Sequence, residues 1–173
     1  MKDIELKLIS ELMKNGRKSD RELAKAIGVS QPTVTRTRSR LEKEGKIKEY
    51  TMIPDFAKLG FEIACINFVR FKKELTEEEF KELRKYSKDL EKKNPGAFLL
   101  AMNGMGLGFN RVFVSFHRNY SSYVKDMNVV KAIPNVDSHV ESFIISLDDK
   151  SHFQPMTLSI IADYLLKTKE EKP

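Results

Sequence analysis

The stretch SDRELAKAIGVSQPTVTRTRSRLEKEG, residues 19–45, restricts the fold more than any other part of this chain. Ser19 and Ser30 each stand where a helix would begin, and only Gly28, Val29 and Ser30 separate the two helices. Ser19 and Glu22 have the spacing of a capping box, and Leu23, Ala24 and Ile27 give the first helix a short buried face. Gly28 closes that helix and Gly45 the next, as glycine does just past helix ends. Pro32 falls in the first turn of the second helix, where its missing N–H does little harm. A three-residue connection forces two short helices to cross against each other, which is helix-turn-helix geometry.

Stepping about 100° per residue from Val34 puts Leu41 beside it on the buried side, with Thr37 and Arg38 on the flanks. Arg36, Arg40 and Lys43 point the other way, together with Thr33 and Ser39. A helix seated by one face and cationic and hydroxylated on the other suits a duplex groove. Arginine spans two acceptors on guanine, and arginine, lysine, threonine and serine all donate to phosphates. The expected base readers are Thr33, Arg36 and Arg40. Gln31, Arg38, Ser39, Lys43, Lys46 and Lys48 are expected on phosphates or in orienting roles, with Ser30 capping the helix whose N-terminus can also meet a phosphate.

Charge points to the same region. The net charge is +6, and the first 60 residues hold 14 Lys and Arg against 9 Asp and Glu. That local excess favours a polyanionic partner there. Before the two helices, residues 3–14 place Ile4, Leu8 and Leu12 on one face, flanked by Leu6, Ile9 and Met13, and Asn15-Gly16 ends the run. After them, residues 46–53 read as a small strand pair, the wing of a winged helix. The single cysteine, Cys65, forms no internal bridge and fits a reducing, cytoplasmic setting. The opening residues do not read as a signal peptide, and no apolar run suits a membrane span.

The rest alternates in kind. MIPDFAKLGF is a connector with a helical turn at residues 55–59 and a break at Gly60. EIACINFVRF is a strand; TEEEFKELRKYSKDLEKKN is a helix capped by Thr76, with Phe80, Leu83, Leu90 and Tyr86 inward; Pro95-Gly96 marks a turn. AFLLAM and RVFVSF are strands around the loop NGMGLG, residues 120–133 are a helix stopped at Pro134, and HVESFIISL is a fourth strand. Strand, helix, strand, strand, helix, strand is the ferredoxin-like βαββαβ arrangement, an α+β architecture with both helices on one sheet face. The other face would be apolar and uncovered, so a homodimer or higher homo-oligomer is expected. Residues 153–167 read as an added helix, with Met156, Ile160 and Leu166 among its apolar positions. The expected division is residues 1–53 winged helix-turn-helix, 54–61 linker, 62–150 ferredoxin-like domain and 151–173 helical extension and tail.

On SDRELAKAIGVSQPTV, RLEKEGKI, EYTMIPDFAKLGF, the Asn103-Gly104 pair and IPNVDSHVESFIISL, the chain resembles the feast/famine regulators, the leucine-responsive regulatory protein and asparagine-operon regulator (Lrp/AsnC) family. The resemblance covers roughly residues 1–147 and implies a double-stranded-DNA-binding transcription regulator. Its ferredoxin-like domain would dimerise, and in many members it binds an amino acid or related molecule. Relatives generally have Arg-Val where this chain has Thr37-Arg38, which leaves Arg38 to snorkel or to find a carboxylate. Relatives usually have Thr-Gly followed closely by Asp in the hairpin loop where ligand binding centres. Here the loop supplies Asn103, Gly104, Met105, Gly106, Gly108 and Asn110 and no carboxylate. An ammonium group would lack a partner there, whereas the two asparagines suit a neutral or anionic effector. The glycines read first as turn and close-approach residues.

Two other function classes compete with this one. An enzyme on the same scaffold, like the related siroheme decarboxylases, would draw on His117 and His139, whose ordinary reading is as strand-edge residues. A non-DNA-binding oligomeric scaffold would retard no DNA. No Cys/His spacing suits a metal, no nucleophile triad is legible, and no cofactor is implied. The expectation is a DNA-binding regulator and not an enzyme.

Overall fold

The computed structural model describes residues 3–93, 97–151 and 156–170. The expected Pro95-Gly96 turn, the Leu90 side chain and the first residues of the expected last helix lie outside them. The chain divides into two compact units, Met1–Pro54 with Phe153–Pro173, and Asp55–His152.

The first unit is built on α1 (Asp3–Lys14), α2 (Asp20–Ile27) and α3 (Gln31–Lys43). Both halves of the capping box form at α2: the Ser19 hydroxyl accepts from the Glu22 N–H at 3.3 Å, and the Ser19 N–H donates to the Glu22 carboxylate at 2.7 Å. Gly28 ends α2 at φ 73°, a left-handed conformation in which a Cβ would be strained. Ser30 then caps α3 through the Thr33 N–H. Leu8, Leu23, Ala24, Val34 and Leu41 make a core sealed by Ile9, Leu12, Ile27, Val29 and Ile47.

The strand pair expected over residues 46–53 does not form. After Gly45 the Lys46 and Ile47 N–H groups both return to the Leu41 carbonyl, at 2.9 and 3.2 Å, and the chain then runs irregularly to Pro54. No residue from Lys46 to Ile53 enters a strand ladder.

The last helix, α6 (Ser159–Glu170), belongs to this unit and packs on α1. The hydroxyl of Ser10, in the middle of α1, donates to the Ala162 carbonyl at 3.0 Å, and Lys14 pairs with Asp163 at 2.7 Å. Ser10 and Ala162 are both fully buried, their small side chains letting the helices approach, while Ile160, Ile161 and Tyr164 face outward.

The second unit runs β1 (Ile63–Phe71), α4 (Glu77–Lys93), β2 (Ala97–Gly106), β3 (Phe109–His117), α5 (Tyr120–Lys131) and β4 (Val136–Ser146). The sheet order is β2-β3-β1-β4 and every pairing is antiparallel, so this is the ferredoxin-like topology. Val69, Phe71, Phe113, Met127, Val130 and Val136 form its core with Leu83, Phe98, Tyr123 and Val140 around them. The connector over residues 55–61 keeps the expected helical turn, with the Leu59 N–H on the Asp55 carbonyl at 3.2 Å, and also packs on the sheet: Phe56 stacks on Phe116 at 3.9 Å, and Phe61 meets both rings edge-on. Gly60, at φ +83°, leaves room for Arg118, whose guanidinium lies 2.9 Å from where a Cβ would stand.

The expected NGMGLG loop is mostly strand. β2 continues through Gly106, and only Leu107 (φ 53°) and Gly108 (φ 79°) form the turn. Positive φ at both central residues makes a two-residue hairpin turn of the primed kind, whose twist matches its strands; alternation of Asn, Met and glycine hid the strand.

Candidate nucleic-acid interface

α3 is held by Val34, Thr37 and Leu41, all buried, and its opposite side is open. On that side Arg36, Ser39 and Lys43 are exposed, with Thr33 at its margin and Gln31 exposed at the start of the helix. Arg36 and Lys43, seven residues and so about two turns apart, lie on one line of the helix. Neither carries an ion pair among the described residues, nor does the exposed Lys48 beyond the helix. Thr33 shares a hydrogen bond with the capping Ser30 hydroxyl at 2.8 Å, which keeps both hydroxyls at the helix N-terminus.

The other expected cationic contacts are committed within the unit. Arg40 is bound to Glu5 of α1, a carboxylate only 5% exposed, and lies 3.7 Å from Glu44. A carboxylate that deep would be costly unpaired, so Arg40 answers first to Glu5. Lys46 reaches Glu44 at 2.7 Å and Glu5 at 3.7 Å. The Lys46 hydrogen bond holds the Glu44 carboxyl below its usual range.

Arg38 donates to Asp20 at 2.9 Å and to the Tyr50 hydroxyl at 2.8 Å, with its guanidinium 4.6 Å above the Tyr50 ring and 3.5 Å from Glu42. Asp20 also accepts from the Thr35 hydroxyl at 2.6 Å. That bond first, then Arg38, pulls the Asp20 carboxyl below the ordinary aspartate value, against partial burial. Glu5, Asp20 and Tyr50 carry no local spacing that links them to α3, and the tie of Thr35 to Asp20 spans fifteen residues. The sole signal was the placement of Arg38 on a half-buried flank.

In the second unit, Asn103 and Arg111 pair across β2 and β3. Asn103 also lines an open groove of about 400 Å³ with Glu77, Phe80, Lys81 and Arg84 of α4. Asn110 is a strut, its side-chain oxygen accepting from the Phe71 N–H at 3.0 Å. Gly104, Met105 and Gly106 continue β2, and Met105 is fully exposed.

The two histidines differ sharply. His139 is exposed, 2.9 Å from Glu141 and stacked on Phe109 at 5.9 Å. His117, 2% exposed, sits in a buried chain: Nδ1 faces Asp126 at 3.1 Å and Nε2 faces the Ser115 hydroxyl at 2.8 Å. Asn67 donates to that hydroxyl at 2.9 Å and accepts from Ser142 at 2.7 Å. Donor and acceptor roles follow: Asp126 only accepts, so Nδ1 carries the proton and Nε2 accepts from Ser115. The connectivity is that of a nucleophile triad, but Ser115 is 1% exposed and already holds Asn67, so it braces the sheet. Burial pushes the His117 pKa down, opposed by Asp126. Burial also pushes the Cys65 thiol, register partner of Ser115, up to about 11.

Among the described residues no group of metal-ligating side chains assembles, and no helix is long and apolar enough to cross a membrane.

A family model described as winged helix-turn-helix DNA-binding matches residues 1–48. The HTH-type transcriptional regulator LrpC of Bacillus subtilis is 46% identical over 63 residues, covering 36% of this chain and 44% of that protein. The chain thus spans under half the length of the first curated relatives it matches. In three dimensions the likeness is broader. The structure of B. subtilis LrpC superposes with a TM-score of 0.68 at 24% identity, over 89% of this chain and 99% of that one. The structure of the transcriptional regulator NMB0573 of Neisseria meningitidis, in complex with L-Met, gives 0.70 at 16% identity, over 93% and 99%.

Proposed function

We propose that the chain is a helix-turn-helix regulator of the Lrp/AsnC family that binds double-stranded DNA selectively, controls transcription, and acts as a homodimer or larger homo-oligomer. One observation carries the reading: α3 keeps Arg36 and Lys43 exposed and, among the described residues, without ion pairs, flanked by Thr33 and Ser39, on the side opposite its buried seat. Arg36 is the reader of base edges; Lys43 and Lys48 serve phosphates.

Assembly is supported by the sheet face turned away from α4 and α5. Leu100, Met102, Phe143 and Ile145 are there 38–64% exposed, with Ile66, Phe68, Val112 and Val114 between them. A second copy is the simplest cover for so contiguous an apolar surface. The L-Met complex belongs to the Neisseria protein. In this chain residues 103–110 contain no carboxylate to meet an ammonium group, which supports a neutral or anionic effector at the hairpin.

The test is selection of bound genomic fragments, then titration of a selected duplex at several salt concentrations. The wild type is expected to bind selectively and to weaken steeply with salt. The Arg36→Glu, Lys43→Glu double variant is expected to lose all duplex binding at moderate salt while light scattering finds the assembly unchanged. Equal binding by both proteins, or a wild type that ignores DNA at low ionic strength, overturns the reading.

A further inference from the structure

Building on the DNA-binding reading of α3, we propose that Arg38 is a positioning residue of the recognition face and not a contact to nucleic acid. Through Asp20, Glu42 and Tyr50 it sets the rotation of α3 on α2 and holds the chain where it leaves the unit.

Arg38 joins three pieces of chain. Asp20 is the first residue of α2; Arg38 and Glu42 lie one turn apart on α3; Tyr50 belongs to the irregular segment before Pro54. Asp20 grips α3 twice, through Arg38 at 2.9 Å and, from the preceding turn, through the Thr35 hydroxyl at 2.6 Å. Two attachments about one turn apart on one helix flank resist rotation of that helix about its own axis. The Tyr50 hydroxyl is used both ways, accepting from Arg38 at 2.8 Å and donating to Glu42 at 2.7 Å. Arg38 and Asp20 retain only 23% and 21% of their side-chain exposure.

Rotation matters because the reader is long. A guanidinium on the order of 8 Å from the helix axis moves roughly 3 Å when the helix turns by about 20°. Hydrogen bonds to base edges tolerate only a few tenths of an ångström. Apolar seating by Val34 and Leu41 resists translation better than small rotations, since neighbouring methyl groups can substitute for one another. Directional bonds from Asp20 remove that freedom. Sequestering Arg38 also leaves the exposed, unpaired charge of α3 on Arg36 and Lys43.

The experiment compares Arg38→Met, Asp20→Asn, Tyr50→Phe and Lys43→Gln with the wild type on one selected duplex over a salt series. A lost phosphate contact lowers the slope of log affinity against log salt by about one, and Lys43→Gln calibrates that change. Arg38→Met, Asp20→Asn and Tyr50→Phe are each expected to weaken specific binding, roughly tenfold for the first two, at the wild-type slope. Asp20→Asn is the sharpest arm. Removing a negative charge near a polyanion strengthens binding through the field alone, so a weakened variant reports lost geometry. The double variant of Asp20 and Arg38 is expected to bind about as well as Arg38→Met.

The proposal is overturned if Arg38→Met drops the slope as Lys43→Gln does while Asp20→Asn and Tyr50→Phe bind at least as tightly as the wild type. Thermal unfolding of the four proteins of the Asp20/Arg38 cycle tests the strut without DNA. Non-additive shifts support it and additive shifts refute it, even if the wild type proves to select no duplex and the DNA reading itself fails. Tyr50→Phe removes one hydroxyl and keeps the ring, so it serves as the mild variant should Arg38→Met fold poorly.

Discussion

The two units solve the same problem, fixing one element against another with polar side chains, by opposite means. In the first, Asp20, Arg38, Glu42 and Tyr50 use charge in a partly exposed place, where water offsets desolvation. In the second, His117, Ser115 and Asn67 lie almost wholly buried and bind as neutral groups, with charge only at Asp126 near the surface. Depth decides which chemistry is affordable. A guanidinium in the place of Asn67 would strand its charge, and an amide in the place of Arg38 would span too little.

The comparison can be broken most forcefully at Asn67. Asn67→Leu takes the acceptor from the buried end of the Ser142 hydroxyl and a donor from the Ser115 hydroxyl and the Cys65 and Phe113 carbonyls, and is expected to destabilise the second unit by about 3 kcal/mol in urea unfolding. Arg38→Met cuts bonds that water can partly replace, so the first unit should lose only about 1 kcal/mol. Should the two losses come out equal, depth would not be the deciding variable.

Acid sharpens the contrast, since the two networks fail in different ranges. The His117 pKa is depressed by burial, so the unfolded chain takes a proton first as pH falls below the ordinary histidine value of 6.5. Stability of the second unit is therefore full above that value and declines below it until the folded imidazole protonates. Asp20 behaves the other way in range. Its folded carboxyl lies below the ordinary 3.8, so its contribution persists above that value and is lost only as pH falls beneath it. Urea midpoints of wild type and His117→Gln between pH 7 and 5 should converge as pH falls, and parallel curves would discard the assignment. The smallest effect on stability belongs to Arg36→Gln, within about 0.5 kcal/mol because the side chain is exposed and carries no ion pair. The same change should remove selective duplex binding in the titration described above.

Much of the first unit was legible because its signals are local. Ser19, Gly28, Ser30 and Pro32 announce caps and ends through bonds that span four residues, and the period of Val34 and Leu41 gives the buried side directly. Residues 46–53 misled because a strand needs a partner, and alternation cannot reveal whether one stands nearby. NGMGLG misled in the opposite sense, since its glycines suggested loop where β3 supplied a ladder. On α3 the exposed face was readable, but the division of labour within it was not. Arg36 and Arg40 look equivalent by angle; Glu44, one turn on, and above all the buried Glu5, thirty-five residues before Arg40, distinguish them.

By itself the sequence determined the helices and their caps, the order of strands and helices in the second unit, and the placement of excess positive charge in the first sixty residues. These follow from interactions between residues a few positions apart, or from simple periods. Tertiary structure alone decided that Arg38 finds Asp20 and Tyr50 and Arg40 finds Glu5, that α6 seats on α1 through Ser10 and Ala162, and that His117 lies in a buried chain. Each depends on groups far apart in sequence reaching hydrogen-bond distance, and such meetings are set by how the whole unit packs.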